Sequence, residues 1–366
     1  MSTTKLNIVR YAPRNGESFY DTAKKKIEHY FIENNIPTHA NRAMKWKTVI
    51  MVSLFFVPYF FIVSGIVAGH PVIFFSLWFM VGLGMVGIGC GVHHDSNHGS
   101  YSDKKKVNRA IGSIVNLIGA YDVTWRIQHN VLHHTYTNID GLDQDIDTGV
   151  LMRISPNVKR YKVHRFQHIY GWMLYCFLTL QWVTIKDFLL LYDYDKNGLL
   201  RKEKTSLRKG MVELTLYKLF YFGYILVLPI LYSGMPWWYV VIGFMILHFT
   251  AGFLLSSIFQ LAHVMETSDY AMPNDDRKME NNWAVHQLQN TCNFGQGSRF
   301  FSWFVGGLNQ QIEHHLFPHI CHVHYPKLAA IVRTAALENG LPYQEHRTFF
   351  NAMRAHGKTL KELGRK

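Results

Sequence analysis

Residues 49–98 read VIMVSLFFVPYFFIVSGIVAGHPVIFFSLWFMVGLGMVGIGCGVHHDSNH. They contain two apolar runs, Val49 to Ala68 and Val72 to Val92, which are separated only by residues 69–71. A run of ~20 apolar residues is long enough for a helix to cross the hydrocarbon core of a bilayer. The stretch therefore predicts a tight transmembrane hairpin that ends at a group of histidines.

Further apolar runs follow at residues 166–185, 214–231 and 237–259. The loops at residues 69–71 and 233–236 hold no Lys or Arg, whereas the segments at the other ends of the runs are basic. Since basic segments stay in the cytosol, the 166–185 run should begin and end on the same side, lying in the interface or re-entering. The pattern predicts an all-α integral membrane protein, with four transmembrane helices in two hairpins and a cytosolic helical cap.

The predicted organisation has five parts, and both termini are expected in the cytosol. In chain order they are an amphipathic arm (1–46), the first hairpin (47–92), a cap segment with an interfacial helix (93–210), the second hairpin (211–260), and a second cap segment with the C-terminal tail (261–366). The amphipathic helix of the arm is expected to lie on the membrane or on the protein.

The composition agrees with a membrane protein. The chain has 366 residues, 48% of them hydrophobic, and a net charge of +13. A basic nucleic-acid-binding protein would not carry such apolar runs, so no nucleic-acid partner is expected. The four cysteines form no CxxC pair, which predicts neither a disulfide framework nor a thiolate metal site. The polar, basic start of the chain predicts membrane insertion through internal helices.

Histidines gather in three short boxes, each of which follows an apolar run. The boxes contain His94 and His98; His129, His133 and His134; and Gln311, His314 and His315. Imidazoles at i and i+4 share one face of a helix. Chance clustering has no reason to place all three boxes on one predicted side of the membrane, so we expect them to converge on one site.

The boxes contain seven histidines, which is more than one metal ion can bind, because a structural zinc takes four protein ligands and a catalytic zinc takes three. The sequence therefore predicts two metal ions. Imidazole suits Fe, Zn, Cu or Ni, so ligand type alone does not choose among them. Iron is favoured, since two iron ions with an open position for O2 can oxidise an unactivated C–H bond and zinc has no redox chemistry. Among the carboxylates beside the boxes, Asp95 and Glu313 are predicted to support metal-bound imidazoles.

At these boxes the sequence resembles the membrane fatty acid desaturase family, whose mark is HxxxH, HxxxHH and (H/Q)xxHH in that order. The resemblance extends to HHTYTNIDGLDQDID at residues 133–147, HVME at 263–266 and QIEHHLFPHI from residue 311. It implies that His263 is a further metal ligand and that Gln311 is a weak or water-mediated one. Gln311 in place of a histidine is similar to the front-end branch, which desaturates between the carboxyl end and an existing double bond.

The resemblance implies an enzyme that uses O2 and two iron ions to place a cis double bond in an acyl chain of C18 or longer. The implied substrate is an acyl-CoA or acyl lipid in the membrane. The HPGG motif of fused cytochrome b5 domains does not occur in the sequence. Electrons are therefore expected from a separate, acidic donor of the ferredoxin or cytochrome b5 type, which would dock on the basic face.

The remaining histidines receive other interpretations. His248 lies inside a predicted transmembrane helix, where an ionisable residue is a candidate for substrate contact or for a hydrogen bond to a neighbouring helix. Supporting or surface roles are expected for His93, His286, His319, His322 and His324.

Other functions share parts of this pattern. A hydroxylase, a ketolase or a sphingolipid desaturase of the same superfamily would carry the same metal site. A histidine-rich metal transporter would place its ligands at the membrane midplane and not beside the spans. A membrane zinc hydrolase would need about three histidines and would leave most of them unexplained.

Overall fold

Helices make up most of the computed structural model, which describes residues 8–14 and 18–366. Within these residues, the helices long and apolar enough to cross a membrane are span 1 (Arg42–Val63), span 2 (Pro71–Asn97), span 3 (Leu207–Tyr232) and span 4 (Trp237–His263). They form two hairpins, which confirms the predicted all-α membrane fold. The helices of spans 2 and 4 extend beyond the apolar runs, and their last turns carry histidines of the candidate site.

The outer and inner faces of the spans differ as a lipid environment requires. Phe60, Val72 and Leu219 are 62%, 78% and 65% exposed, so that large apolar side chains point outward. On the inner side, Gly84 of span 2 lies so close to the backbone of Phe55 in span 1 that a Cβ atom would collide with it. Small residues at such crossings allow helix backbones to approach closely.

Several helices contain π-helical turns. Span 2 has one at Ile88–His93, directly before the first histidine box. The second box lies within another, Ile127–His133, and span 3 has one at Gly223–Val227. A π turn inserts an extra residue into a helix and is frequent at functional sites.

The apolar run at residues 166–185 forms a bent helix. Its two halves, Lys162–Cys176 and Leu178–Lys196, meet at 55°. Gly252 of span 4 lies against the backbone carbonyl of Cys176 at the bend, where a Cβ atom would not fit. A segment bent in this way is either a broken span or a re-entrant loop, and its predicted return to the same side of the membrane stays a prediction.

The remaining elements form a cap at the ends of spans 2 and 4. The amphipathic helix Phe19–Glu33 packs on Tyr325–Glu338 and buries four apolar side chains there, so this helix lies on the protein. Two short strands, Asn293–Phe294 and Glu345–His346, pair in parallel. The other cap helices are Lys105–Gly112, Ile114–Leu117, Asp122–Arg126, His134–Tyr136, Leu199–Glu203, Trp283–Gln289, Arg299–Phe304, Gln311–Leu316, His322–His324 and Phe349–Leu363.

Candidate metal centre

The structure brings the predicted histidine ligands together at the junction of spans and cap. His94 lies in the last turn of span 2, and His263 is the last residue of span 4. The other histidines come from the π turn Ile127–His133, the helix that follows it, and the helix Gln311–Leu316. His98 is half-buried, and the other predicted histidine ligands are buried.

The π turn of the second box explains how neighbouring histidines can serve one site. The backbone N–H of His134 bonds to the carbonyl of His129, five residues earlier. This wider turn brings the Nε2 atoms of His129 and His134 to 3.2 Å from each other. The ring of His133 stacks beside that of His129, with 5.3 Å between the centroids.

The ring nitrogens fall into groups whose members lie within 4.8 Å of one another, close enough to share a metal ion. The first group is His94, His98, His129 and His314, and the second is His133, His263 and His315. His134 groups with His314 and His315, so it lies between the two. Two neighbouring groups of this kind suit two metal ions.

Contacts within the cluster favour a bound cation. Successive Nε2 atoms approach in a chain, at 3.1 Å for His94 and His129, 3.2 Å for His129 and His134, and 2.9 Å for His134 and His314. A ring nitrogen either donates or accepts one hydrogen bond in the ring plane, so His129 and His134 cannot satisfy two such contacts each. A shared metal ion would satisfy these lone pairs.

The second group shows the arrangement typical of metal-bound imidazoles. The Nε2 atoms of His133, His263 and His315 are buried and have no hydrogen-bond partner among residues 8–14 and 18–366. Their Nδ1 atoms face acceptors, which require a hydrogen on Nδ1 and leave the lone pair on Nε2. The acceptors are the Asp143 carboxylate at 3.0 Å, the Asn290 carbonyl at 3.0 Å and the Gln287 amide oxygen at 2.7 Å.

Burial keeps most of the cluster in the neutral form that binds metals. Burial, together with the neighbouring imidazoles, lowers the pKa values of His129, His134, His314 and His315 well below the usual range. Burial is the largest single influence on His133 and acts to lower its pKa, but the neighbouring carboxylates of Asp143 and Asp145 together outweigh it and the pKa is raised. His133 and Asp143 therefore form a charge-assisted pair.

The predicted supporting carboxylates have other partners. Glu313 accepts hydrogen bonds from Asn293 and Tyr343, both at 2.8 Å, and from no box histidine in the described part of the chain. Burial raises the pKa of Glu313 to about 7. The prediction for this residue needs correction, because the helix Gln311–Leu316 turns its side chain towards the paired strands.

The carboxylate of Asp95 lies between the first box and the chain after the third. One oxygen accepts hydrogen bonds from the His322 ring at 2.7 Å and from the Cys321 thiol at 3.0 Å. The other oxygen lies 4.0 Å from Nδ1 of His94. Asp95 is therefore beside a predicted ligand but is not within hydrogen-bond distance of it.

A cavity opens from the histidine cluster towards the interior of the spans. His94, His129 and Gln311 line it at the cluster. The rest of its lining includes the apolar side chains of Met85, Val115, Ile118, Leu178, Val183 and Leu255. It also includes polar side chains, among them Gln128, Asp145, Lys186 and Gln260. A cavity whose surface is mostly apolar, beside a candidate metal centre, suits a substrate that is mostly hydrocarbon.

Comparison with known proteins agrees with this geometry. The family model for fatty acid desaturases matches residues 69–347, which include all three histidine boxes. The chain belongs to the fatty acid desaturase family. It is thus an oxidoreductase and a multi-pass membrane protein, and the desaturase interpretation is favoured over the transporter and the hydrolase.

Relatives of this desaturase match it over nearly its whole length. The sn-1 linoleoyl-lipid 6-desaturase of Synechocystis sp. is 32% identical over 98% of both chains. The sn-1 linoleoyl-lipid 6-desaturase of Arthrospira platensis is 34% identical over 94% of this chain and 92% of its own. The acyl-lipid (8-3)-desaturase of Physcomitrium patens is 34% identical over 98% of this chain and 74% of its own.

The structure places the other residues considered for the desaturase as follows. The amide nitrogen of Gln311 donates to the carbonyl of Leu308 at 2.8 Å, so its oxygen is the atom left for a metal or water. The ring of His248 bonds to Tyr221 at 2.9 Å and to Thr179 at 3.0 Å. Thr179 lines the cavity and His248 does not, so the substrate contact considered for His248 is not a direct one in this cavity.

Sequence reasoning missed part of the support around the cluster. His93, His286 and His324 hydrogen-bond to backbone carbonyls and His322 to Asp95, and none of these bonds involves a predicted metal ligand. Gln287 and Asn290 were not identified, although they face His315 and His263 directly. They lie at the end of Trp283–Gln289, far in sequence from any box, and amides carry no motif that would mark them.

Proposed function

We propose that this desaturase uses O2 and two iron ions to place a cis double bond in an acyl lipid, on the carboxyl side of an existing double bond in a chain of C18 or longer. The observation that carries the proposal is the pair of buried histidine groups beside one largely apolar cavity. The linoleoyl-lipid 6-desaturases and acyl-lipid (8-3)-desaturase among the relatives support the substrate class and the front-end position.

The two histidine groups would each hold one iron ion. His94, His98, His129 and His314 would hold one, and His133, His263 and His315 the other, with His134 between them and Gln311 as a weak ligand. When bound, the iron ions would supply the oxidant with which O2, two electrons and two protons convert two adjacent methylene groups into a double bond and two waters. A ligand set made mostly of imidazole nitrogens suits such redox chemistry.

The residues of the chain would hold and orient the substrate. The apolar walls formed by Met85, Val115 and Ile118 would bind the hydrocarbon and exclude water from it. The hydrogen bonds from the histidine Nδ1 atoms to Asp143, Asn290 and Gln287 would hold the rings in one orientation during turnover.

Electrons would come from a separate acidic protein that docks on the basic cytosolic face. The net charge of +13 supports this, because an opposite charge on the donor accelerates encounter. The rate of reduction by ferredoxin or cytochrome b5 should fall steeply as ionic strength rises. A rate that does not depend on salt would argue against a donor steered by charge.

The proposal is tested by expressing the chain in a host that is fed stearate or linoleate and locating new double bonds by mass spectrometry. A new bond on the carboxyl side of the existing bonds of linoleate is expected. The His315→Ala variant serves as the control for desaturases of the host and should give no new product. Conversion of stearate to oleate without a product from linoleate would contradict the front-end position.

A further inference from the structure

Gln260 is a buried amide in the cavity without a hydrogen-bond partner. It lies in span 4, three residues before His263, and is 8% exposed. Its side-chain oxygen is fully buried, and its side chain makes no hydrogen bond within residues 8–14 and 18–366. Buried amides normally have partners, so an unpaired one that faces a cavity indicates a polar group on the ligand.

Other neutral polar side chains of the cavity already donate hydrogen bonds within the protein. Ser256 donates to the carbonyl of Tyr175 at 3.2 Å, and Thr179 to the carbonyl of His248 at 2.9 Å. The amide nitrogens of Gln128 and Gln311 each donate one hydrogen bond, to Asp145 and to the carbonyl of Leu308. Gln260 is therefore the amide of this cavity whose two N–H donors are both free, since Gln128 and Gln311 have each used one.

We propose that Gln260 donates a hydrogen bond to the acyl carbonyl oxygen of the substrate and thereby sets the position of the new double bond. The proposal rests on the proposed function. The carbonyl is the one strong acceptor at the head of an acyl chain, and it is present in a glycerolipid ester and in a thioester alike. Gln260 lies about 4.5 Å along the helix axis from His263, so a carbonyl held there leaves only a few methylene groups between the head and the metal centre.

The test compares a linoleoyl glycerolipid ester with its alkyl ether, which lacks the carbonyl, in vesicles without O2. The wild-type enzyme should bind the ester about three- to ten-fold more tightly than the ether, as expected for one hydrogen bond. The Gln260→Leu variant should bind both with the affinity that the wild type shows for the ether. Gln181→Leu replaces an exposed glutamine outside the cavity and should keep the wild-type preference. Linoleoyl-CoA in a parallel arm shows whether a thioester is held in the same way.

A second readout is the position of the double bond. Gln260→Leu should retain its iron and spread the new double bond over several positions, whereas the wild type makes one. If that variant does not fold, Gln260→Asn can be used in its place. Asparagine keeps the amide on a side chain that is shorter by one methylene. This variant should therefore change the position of the new double bond and weaken the preference for the ester. Equal binding of ester and ether by the wild type, or an unchanged preference in either variant, would overturn the proposal. The binding comparison does not depend on where the bond forms, so it can fail while the proposed function holds.

Discussion

At the scale of single residues, the support of His133 by Asp143 can be tested by one substitution. Asp143→Asn removes the negative charge 3.0 Å from Nδ1 of His133 and keeps the shape of the side chain. Iron content and turnover should fall about 10–100-fold, because partners of this kind orient the metal ligands and raise their basicity. The measurement is iron per chain in the purified protein, together with the turnover of linoleate.

Two other substitutions provide the comparison. Asp147→Asn changes an exposed carboxylate four residues away and should leave iron content unchanged. Glu313→Gln should also retain iron, because Glu313 bonds to Asn293 and Tyr343 and not to an imidazole. Equal iron loss in Asp143→Asn and Glu313→Gln would show that the assignment of supporting residues is wrong.

The sequence predicted which histidines would cluster but not which residues would support them. Box spacing is local, so a motif reveals His129 and His133 directly. The choice of Asp143 over Glu313 depends on where a helix in the cap points, and Gln287 reaches His315 from another part of the chain. Contacts between segments distant in sequence leave no local pattern to read.

At the scale of helices, the contact between span 4 and the bent helix depends on Gly252. Gly252→Ala would place a methyl group against the backbone carbonyl of Cys176, which cannot move without shifting the bend. Overpacking of this kind is expected to destabilise the protein by about 1–3 kcal/mol. The melting temperature in detergent should fall accordingly.

Gly223 offers a matched control in span 3, since a Cβ added there meets nothing within 4 Å. Gly223→Ala should leave the melting temperature unchanged or raise it slightly, because alanine reduces the entropy of the unfolded chain. If both variants melt at the same temperature as the wild type, the close contact at the bend does not contribute to stability.

The apolar runs predicted the spans because a run of about 20 apolar residues typically forms a helix that crosses the hydrocarbon core of the bilayer. They did not predict where the helices end. Spans 2 and 4 continue to Asn97 and His263, and the polar side chains of His94, Asp95 and His263 in their last turns are buried. The π turns were also not predicted, since an i,i+4 histidine spacing fits an ordinary α-helix equally well.

At the scale of the whole molecule, the basic segments predict that the histidine boxes and both termini lie in the cytosol. His70→Cys in the loop between spans 1 and 2 should react in intact cells with a thiol reagent that does not cross membranes. Lys361→Cys near the C-terminus should react only after the membrane is opened. Both changes are made with Cys176→Ser, because the other native cysteines are buried. Labelling of Lys361→Cys in intact cells would reverse the proposed orientation.

We propose that the buried histidine cluster holds two iron ions. Elemental analysis of the protein, purified gently after expression with ample iron, measures this directly. We expect about two iron ions per chain, since the cluster offers two groups of buried imidazoles. One tightly bound zinc ion and no iron would contradict it.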